Sequence, residues 1–340
     1  MKANEMIGIR VDVNKHIATG HIMRTIAIAE HIVRKGGDCI FISSDGDCAT
    51  YLEKKGFKYV VLNSDWDKKE EELGKLIAVL EEYKITTLLI DSYQVTERYF
   101  EILSRKTNIY YFDELYIKGY NKCVGLINGL LLPPDYKEYA GKVFKGPQYV
   151  PLRAEFFNAP KKKIRDKANS ILLTSGGGDE FHFLRTLLEE FLEDNRFLDF
   201  SVNIAVGKYY PIQDIEEFVD NPRVFLYVNT NKMMELIVDS DIAITAGGMT
   251  IYEVCSCGTP GIVFSMADNQ IEQCRAFDCL GLIKYAGDIR ENVKEVVSNI
   301  LAGIDEMKDA KMRKDISEKM QKCIDGRGAE RIADILMGRN

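Results

Sequence analysis

Runs of uninterrupted apolar residues alternate with amphipathic segments along this chain, and they do so twice. Strands covered by helices on both faces carry such runs, because neither side of a buried parallel sheet meets water. In the first half, Met6-Ile7-Gly8-Ile9-Arg10-Val11-Asp12-Val13 reads as a buried strand. Ile22, Ile26, Ala29, Ile32 and Val33 then recur at helical spacing, which predicts a helix beginning near His21. Further strands are predicted over 38–43, 59–62, 86–91 and 108–112, with a helix over 70–83. Between 146 and 168 the pattern lapses into Pro151, Arg153, Pro160 and a lysine run. Alternation restarts with strands over 170–174, 200–206, 224–228, 242–245 and 261–264, and helices over 181–192, 231–238 and 251–257. The expected fold is α/β: doubly wound domains over 1–150 and 169–340, a linker over 151–168, and a ligand cleft between the strand C-termini. The last helical stretch, after Asp305, either stays with the second domain or packs back on the first.

Charge and composition exclude several partners. A net charge of -7 leaves no basic excess to neutralise nucleic-acid phosphates, and Lys161-Lys162-Lys163 reads as a solvated linker. The eight cysteines and four histidines form no zinc pattern, so small buried thiols in a reducing cytosol are expected. Met1-Lys2-Ala3-Asn4-Glu5 leads directly into a strand, and no apolar run approaches the length of a bilayer span. A cytoplasmic protein without stable membrane insertion is expected.

Three places carry residues suited to chemistry. His21 stands where a strand gives way to a helix, beside the free N–H groups and positive end of the helix dipole. An uncharged imidazole there is either a proton acceptor next to an anion site or a helix cap with no chemical role. In the second half, Thr174-Ser175-Gly176-Gly177-Gly178-Asp179 joins a strand to a helix through glycines that admit a phosphate closely, or simply a tight turn. Thr245-Ala246-Gly247-Gly248-Met249-Thr250-Ile251-Tyr252-Glu253 ends a strand in two glycines and opens a helix. Thr250 offers donors in its first turn, and Glu253, one turn on, suits the two hydroxyls of a ribose. Asp268-Asn269-Gln270 opens a further helix with polar side chains that read a sugar or diphosphate, or cap it.

Assembled, these residues resemble the PseG family, the UDP-sugar hydrolases of pseudaminic acid biosynthesis, which are relatives of GT-B glycosyltransferases. The matching pieces are Arg10-x-Asp12, Gly20-His21-x-x-Arg24, Asp91-Ser92-Tyr93, Phe112-Asp113-Glu114, Leu152-Arg153-x-Glu155-Phe156, Gly176-Gly177-x-Asp179, Thr250-x-x-Glu253 and Asn269-Gln270, in family order. Spore-coat polysaccharide proteins share much of this pattern. The resemblance implies a GT-B fold of two Rossmann-like domains facing each other across a cleft, the first holding the sugar and the second the nucleotide. It implies hydrolysis of a UDP-linked diacetamido-trideoxy hexose at the anomeric C–O bond, with inversion and with no metal or cofactor. His21 is then the base, with Asp12 and Tyr93 beside it in catalysis. Arg10, Gly20, Arg24, Asp91 and Arg153 of the first half would contact substrate. So would Gly176, Gly177, Gly247, Gly248, Met249, Thr250, Glu253, Asn269 and Gln270 of the second. Arg24 would pair with Asp12 or attract the diphosphate. The chain departs from the family at Ser92 and Gln94, where Asp-His-Tyr-Gly is common, which puts the sugar in question more than the fold.

Three other readings fit the same residues. An inverting GT-B glycosyltransferase would use a sugar or lipid hydroxyl in place of water, and a lipid acceptor calls for an exposed apolar patch. The run over 126–132, before Pro133-Pro134, is the one candidate for it and reads better as a buried strand. A UDP-sugar-binding protein without catalysis would keep the site and release no UDP. Asp45-Gly46-Asp47 and Asp65-Trp66-Asp67 raise a metal-dependent enzyme, although such pairs usually form turns.

Overall fold

A computed structural model describes residues 6–14, 17, 19–116, 119–176, 178–207 and 210–339. The chain forms two compact units, Met1–Phe157 with Gly326–Asn340, and Asn158–Asp325. The segment expected as a linker, 151–168, is divided between them.

The first unit runs β1 (Met6–Val11), α1 (Gly20–Arg34), β2 (Asp38–Ser43), α2 (Ala49–Glu53), β3 (Lys58–Val61), α3 (Leu73–Glu82), β4 (Thr87–Asp91), α4 (Glu97–Leu103), β5 (Asn108–Phe112), β6 (Gly125–Asn128) and β7 (Lys142–Lys145). Its strands form one parallel sheet in the order β3-β2-β1-β4-β5-β6-β7. Successive side chains enter opposite faces. Ile7, Ile9, Val11 and Leu89 pack with Ile22, Ile26 and Ile32 of α1. Ile42, Leu88 and Ile90 pack with Leu76 and Leu80 of α3 and Phe100 of α4. The crossovers after β1 and β4 therefore leave to opposite faces, which opens a crevice at the C-terminal ends of those two strands.

The C-terminal helix, Gly328–Leu336, completes this unit by laying Ala329, Ile332, Ala333 and Leu336 on the α1 face. A side chain such as Ile332, fully buried, contributes about 1.5–3 kcal/mol. Its first residue must be glycine, because a Cβ there would lie 2.0 Å from the Val150 carbonyl oxygen and 2.6 Å from its carbon. Backbone atoms cannot swing aside as a side chain does. Gly328→Ala should therefore cost about 1–3 kcal/mol and speed proteolysis of the C-terminal tail. Unchanged unfolding and cleavage rates would show that the helix docks without this contact.

The second unit contains β8 (Ser170–Thr174), α5 (Phe183–Glu193), β9 (Ser201–Val206), β10 (Val224–Val228), α6 (Met233–Asp239), β11 (Ile242–Ala246), α7 (Thr250–Cys257), β12 (Gly261–Ser265), α8 (Asp268–Cys279), β13 (Lys284–Asp288), α9 (Val293–Glu306) and α10 (Ala310–Cys323). Its parallel sheet has the order β10-β9-β8-β11-β12-β13, so its switch point lies between β8 and β11. Helices α5 and α9 cover one face through Phe183, Leu187, Phe191, Val296, Ile300 and Ile304, and α7 packs with α6 and α10. The two glycine segments follow β8 and β11, the strands that flank the switch point. Among the described residues, no helix is long and apolar enough to cross a membrane.

Candidate functional site

Four of the expected first-unit residues meet at the crevice between β1 and β4. His21, in the first turn of α1, places Nδ1 2.5 Å from Oδ1 of Asp91, the last residue of β4. Arg24, one turn later, donates from Nε and Nη2 to the two Asp91 oxygens at 2.7 and 2.6 Å, and from Nη1 to Glu114 at 2.7 Å. Tyr93 donates its hydroxyl to the other Glu114 oxygen at 2.5 Å and sets its ring edgewise to His21, centroids 4.7 Å apart. The Arg24 guanidinium also lies 4.8 Å from the centre of the Phe112 ring.

The geometry fixes the tautomer of His21. An unprotonated nitrogen at 2.5 Å from a carboxylate oxygen would be repelled, so Nδ1 carries the proton and Asp91 accepts it. Arg24 Nη2, 3.1 Å from Nδ1, is then a neighbouring donor whose hydrogen goes to Asp91. In the neutral ring Nε2 then keeps its lone pair, and among the described residues it makes no hydrogen bond. Burial alone would raise the Asp91 carboxyl, but the Arg24 charge beside it outweighs burial and holds it well below the usual carboxylate range. Asp91 is a permanent anion that orients the imidazole.

This arrangement corrects three expectations. Asp91 does not face a substrate, since both its oxygens are taken by His21 and Arg24 and it is buried. Arg24 pairs with Asp91 and Glu114, not with Asp12. His21 bonds a carboxylate through its ring and does not cap its helix.

Arg10 and Asp12, expected in the site, belong to a separate buried network. Arg10 is fully buried and donates to Glu72 twice, at 2.8 and 2.7 Å, to Asp12 at 2.7 Å and to Ser44 at 2.6 Å. Asp12 accepts from Arg10, from the Ser44 amide at 2.8 Å and from Lys69. Burial would raise its carboxyl, but the charges of Arg10 and Lys69 reverse the sign and hold it at about 2. Neither residue offers a free polar atom to a ligand. Their physical effect is to pin the start of the segment that leads from β1 into α1.

In the second unit the two glycine segments turn out to differ. After β8, Asp179 accepts hydrogen bonds from the Phe183 and Leu184 amides at 3.0 and 2.9 Å, the first two amides of α5. That helix end already holds a carboxylate, which corrects the expectation of a phosphate site there. Gly176 is required by its left-handed backbone, φ +83°, and Gly177 lies outside the described residues. After β11, no side chain caps α7. The Gly248 amide turns back to the Ala246 carbonyl at 2.8 Å, which leaves the amides of Met249 and Thr250 without an acceptor among the described residues. An uncapped helix start with unpaired amides is suited to hold an anion. Gly247 serves packing: a Cβ there would lie 2.5 Å from Cys274 Sγ and 2.8 Å from Gln270 Cβ. The Gln273 amide holds the turn by donating to the Gly247 carbonyl at 3.1 Å, a role that its place inside a helical run does not betray.

The remaining expected residues are placed as follows. Gly20 starts α1 and is exposed, with open space where a Cβ would stand. Arg153 pairs with Glu155 at 3.1 Å and lies over Phe156. Glu253 is buried one turn into α7, Asn269 is exposed at the start of α8, and Gln270 accepts from the Met266 amide at 3.0 Å. Asp45 and Asp65 each accept the amide two residues on, at 3.0 and 3.1 Å, so both acidic doublets are turns. Of the run over 126–132, Leu126 and Ile127 are buried in β6 and Leu132 is exposed.

Comparison with known proteins bears on this geometry. Residues 171–326 match the Glycosyltransferase family 28 C-terminal domain. The spore coat polysaccharide biosynthesis protein SpsG of Bacillus subtilis is 22% identical over 97% of each chain. An uncharacterized protein of Methanocaldococcus jannaschii is 25% identical over 78% of this chain. The pseudaminic acid cytidylyltransferase and UDP-2,4-diacetamido-2,4,6-trideoxy-beta-L-altropyranose hydrolase of Helicobacter pylori is 27% identical over 58% of it. This chain spans 57% of the archaeal relative's length and 37% of the Helicobacter one's. Among solved structures, Acinetobacter baumannii MurG superposes with a TM-score of 0.72 at 13% identity, covering 98% of this chain and 99% of its own. Phytolacca americana UGT2, complexed with UDP-2fluoro-glucose and pterostilbene, gives 0.70 at 12% identity with the same coverage. Two parallel-sheet α/β domains with these neighbours have the fold of the GT-B glycosyltransferases.

Proposed function

We propose that this chain uses a UDP-sugar, and that it hydrolyses the anomeric C–O bond of a UDP-linked diacetamido-trideoxy hexose with inversion. The free sugar would feed nonulosonic acid or surface-polysaccharide synthesis. The observation that carries the reading is His21, held by Asp91 through Nδ1 with its Nε2 lone pair unengaged. In the reaction, Nε2 takes a proton from water while the water oxygen bonds to the anomeric carbon. The bond from that carbon to the diphosphate oxygen breaks, and UDP leaves with the electron pair. The Met249 and Thr250 amides and the α7 dipole receive the charge that develops on the diphosphate. Glu253 would hold the ribose and Tyr93, against the His21 ring, the sugar. Asp12 and Arg10 support the segment that carries His21. No cofactor or metal enters the scheme. Two relatives support it: the Helicobacter protein carries such a hydrolase in its name, and SpsG a polysaccharide pathway.

An inverting glycosyltransferase is the second reading, supported by the family 28 match and the likeness to UGT2. The same base would take its proton from an acceptor hydroxyl. Incubation with a panel of UDP-aminosugars in excess chelator, with and without acceptor alcohols, separates the readings. Hydrolysis predicts equal amounts of UDP and free sugar without any acceptor. UDP release that depends on an acceptor would establish transfer, and binding without UDP release would leave a sensor.

A further inference from the structure

The charges around His21 are unequal while its ring is neutral. Arg24 brings one positive charge, and Asp91 and Glu114 bring two negative ones, each within 2.7 Å of the same guanidinium. The cluster is negative by one charge until the imidazole takes a proton, and neutral afterwards. Two further groups beside the cluster leave that sum unchanged. Tyr93 remains a neutral donor to Glu114, and Asp12 at the end of the adjacent β1 is matched by Arg10 and Lys69. Glu114 itself is ionised: burial works against its charge, but Arg24 outweighs burial and keeps its carboxyl below the ordinary value. Both its oxygens are engaged, by Arg24 and by Tyr93, so it has none to offer a substrate.

Taking His21 as the base, we propose that Glu114 is a positioning residue that sets the proton affinity of His21 through the Arg24 it shares with Asp91. Without Glu114, the whole Arg24 charge would bear on Asp91, and an imidazolium would form beside an already neutral pair. With Glu114, half of that guanidinium is answered elsewhere, and Asp91 keeps enough negative charge to stabilise a protonated ring. Glu114 thus acts at one remove, by deciding how much of Asp91 the histidine feels.

The test reads proton binding and not turnover, so it can fail or succeed whether or not the chain hydrolyses UDP-sugars. The four histidines can be followed by NMR in the full chain across pH, with His21→Asn assigning the His21 signal. Glu114→Gln should lower the midpoint of the His21 titration by about one pH unit, a roughly tenfold loss of proton affinity. The double variant Arg24→Gln/Glu114→Gln removes the cation along with its second partner, and it should return the midpoint to the native value or above. The double variant restores the native net charge of minus one, now carried by Asp91 alone, so it separates the effect of charge from any effect of the Glu114 substitution on the fold. A native midpoint in folded Glu114→Gln, or a midpoint still depressed in the double variant, would overturn the proposal.

Discussion

Replacing His21 with Asn is expected to lower turnover of the UDP-sugar by roughly 10²–10⁴-fold, with UDP affinity nearly unchanged. Asparagine is close to histidine in size and can still donate an N–H toward Asp91, so the Asp91–Arg24–Glu114 assembly keeps its partners. What it lacks is a basic lone pair where Nε2 stands. The range follows from the worth of a positioned general base, because water remains a weak nucleophile without one. UDP affinity should hold because the amides assigned to the diphosphate, on Met249 and Thr250, belong to the other unit and do not depend on the imidazole. Single-turnover rates and calorimetric titration with UDP measure the two quantities separately. Full turnover in the variant would remove His21 from the chemistry, and a parallel loss of UDP binding would point to a damaged fold.

The architecture was readable because the central strands are written plainly. β1, β4, β8, β11 and β12 are buried along nearly their whole length, and no polar face interrupts their apolar runs. Strands β7 and β13 were not readable. β7, Lys-Val-Phe-Lys, is an edge strand with lysines exposed at both ends, and β13 contains Gly287 and pairs with β12 across a register shift. Both resemble loops at the level of residue types. In the site, the pairing of His21 with Asp91 spans 70 residues, and only the sheet order places β1 beside β4. The strand ends marked both residues, but nothing in the sequence marked Glu114 as the partner that Arg24 shares with Asp91. Asp179 and Glu253 look equivalent on paper, each an acid shortly after paired glycines. Asp179 stands four residues before the start of α5 and closes it, whereas Glu253 is the fourth residue of α7 and leaves that start open, so where each helix begins decides the difference.

The largest effect on stability is expected at Glu72, which sequence periodicity hides within a charged helical run. Glu72 is fully buried, accepts twice from Arg10 and once from Tyr99 at 2.7 Å, and lies in a group of two cations and two carboxylates with Lys69 and Asp12. Glu72→Gln keeps the shape and removes one negative charge, which leaves a net positive charge in the core. Breaking a buried pair in this way costs about 3–5 kcal/mol, or roughly 6–20 °C in Tm for a unit of this size. The cheapest relief is loss of the Lys69 proton. Burial foremost, and then Arg10 beside it, already lower that ammonium below its ordinary 10.5. Folded chains therefore release this proton at lower pH than unfolded ones, and stability rises with pH across the interval. The variant should accordingly be weakest near neutrality and recover part of its loss toward pH 10, while hydrogen exchange places the loss in β1, β2 and α4. Removing the pair together, as Arg10→Met/Glu72→Leu, should restore most of the stability, because Asp12 and Lys69 then balance each other. A deficit in Glu72→Gln that does not change with pH, or a double variant as unstable as the single one, would mean that packing and not charge holds this part of the core.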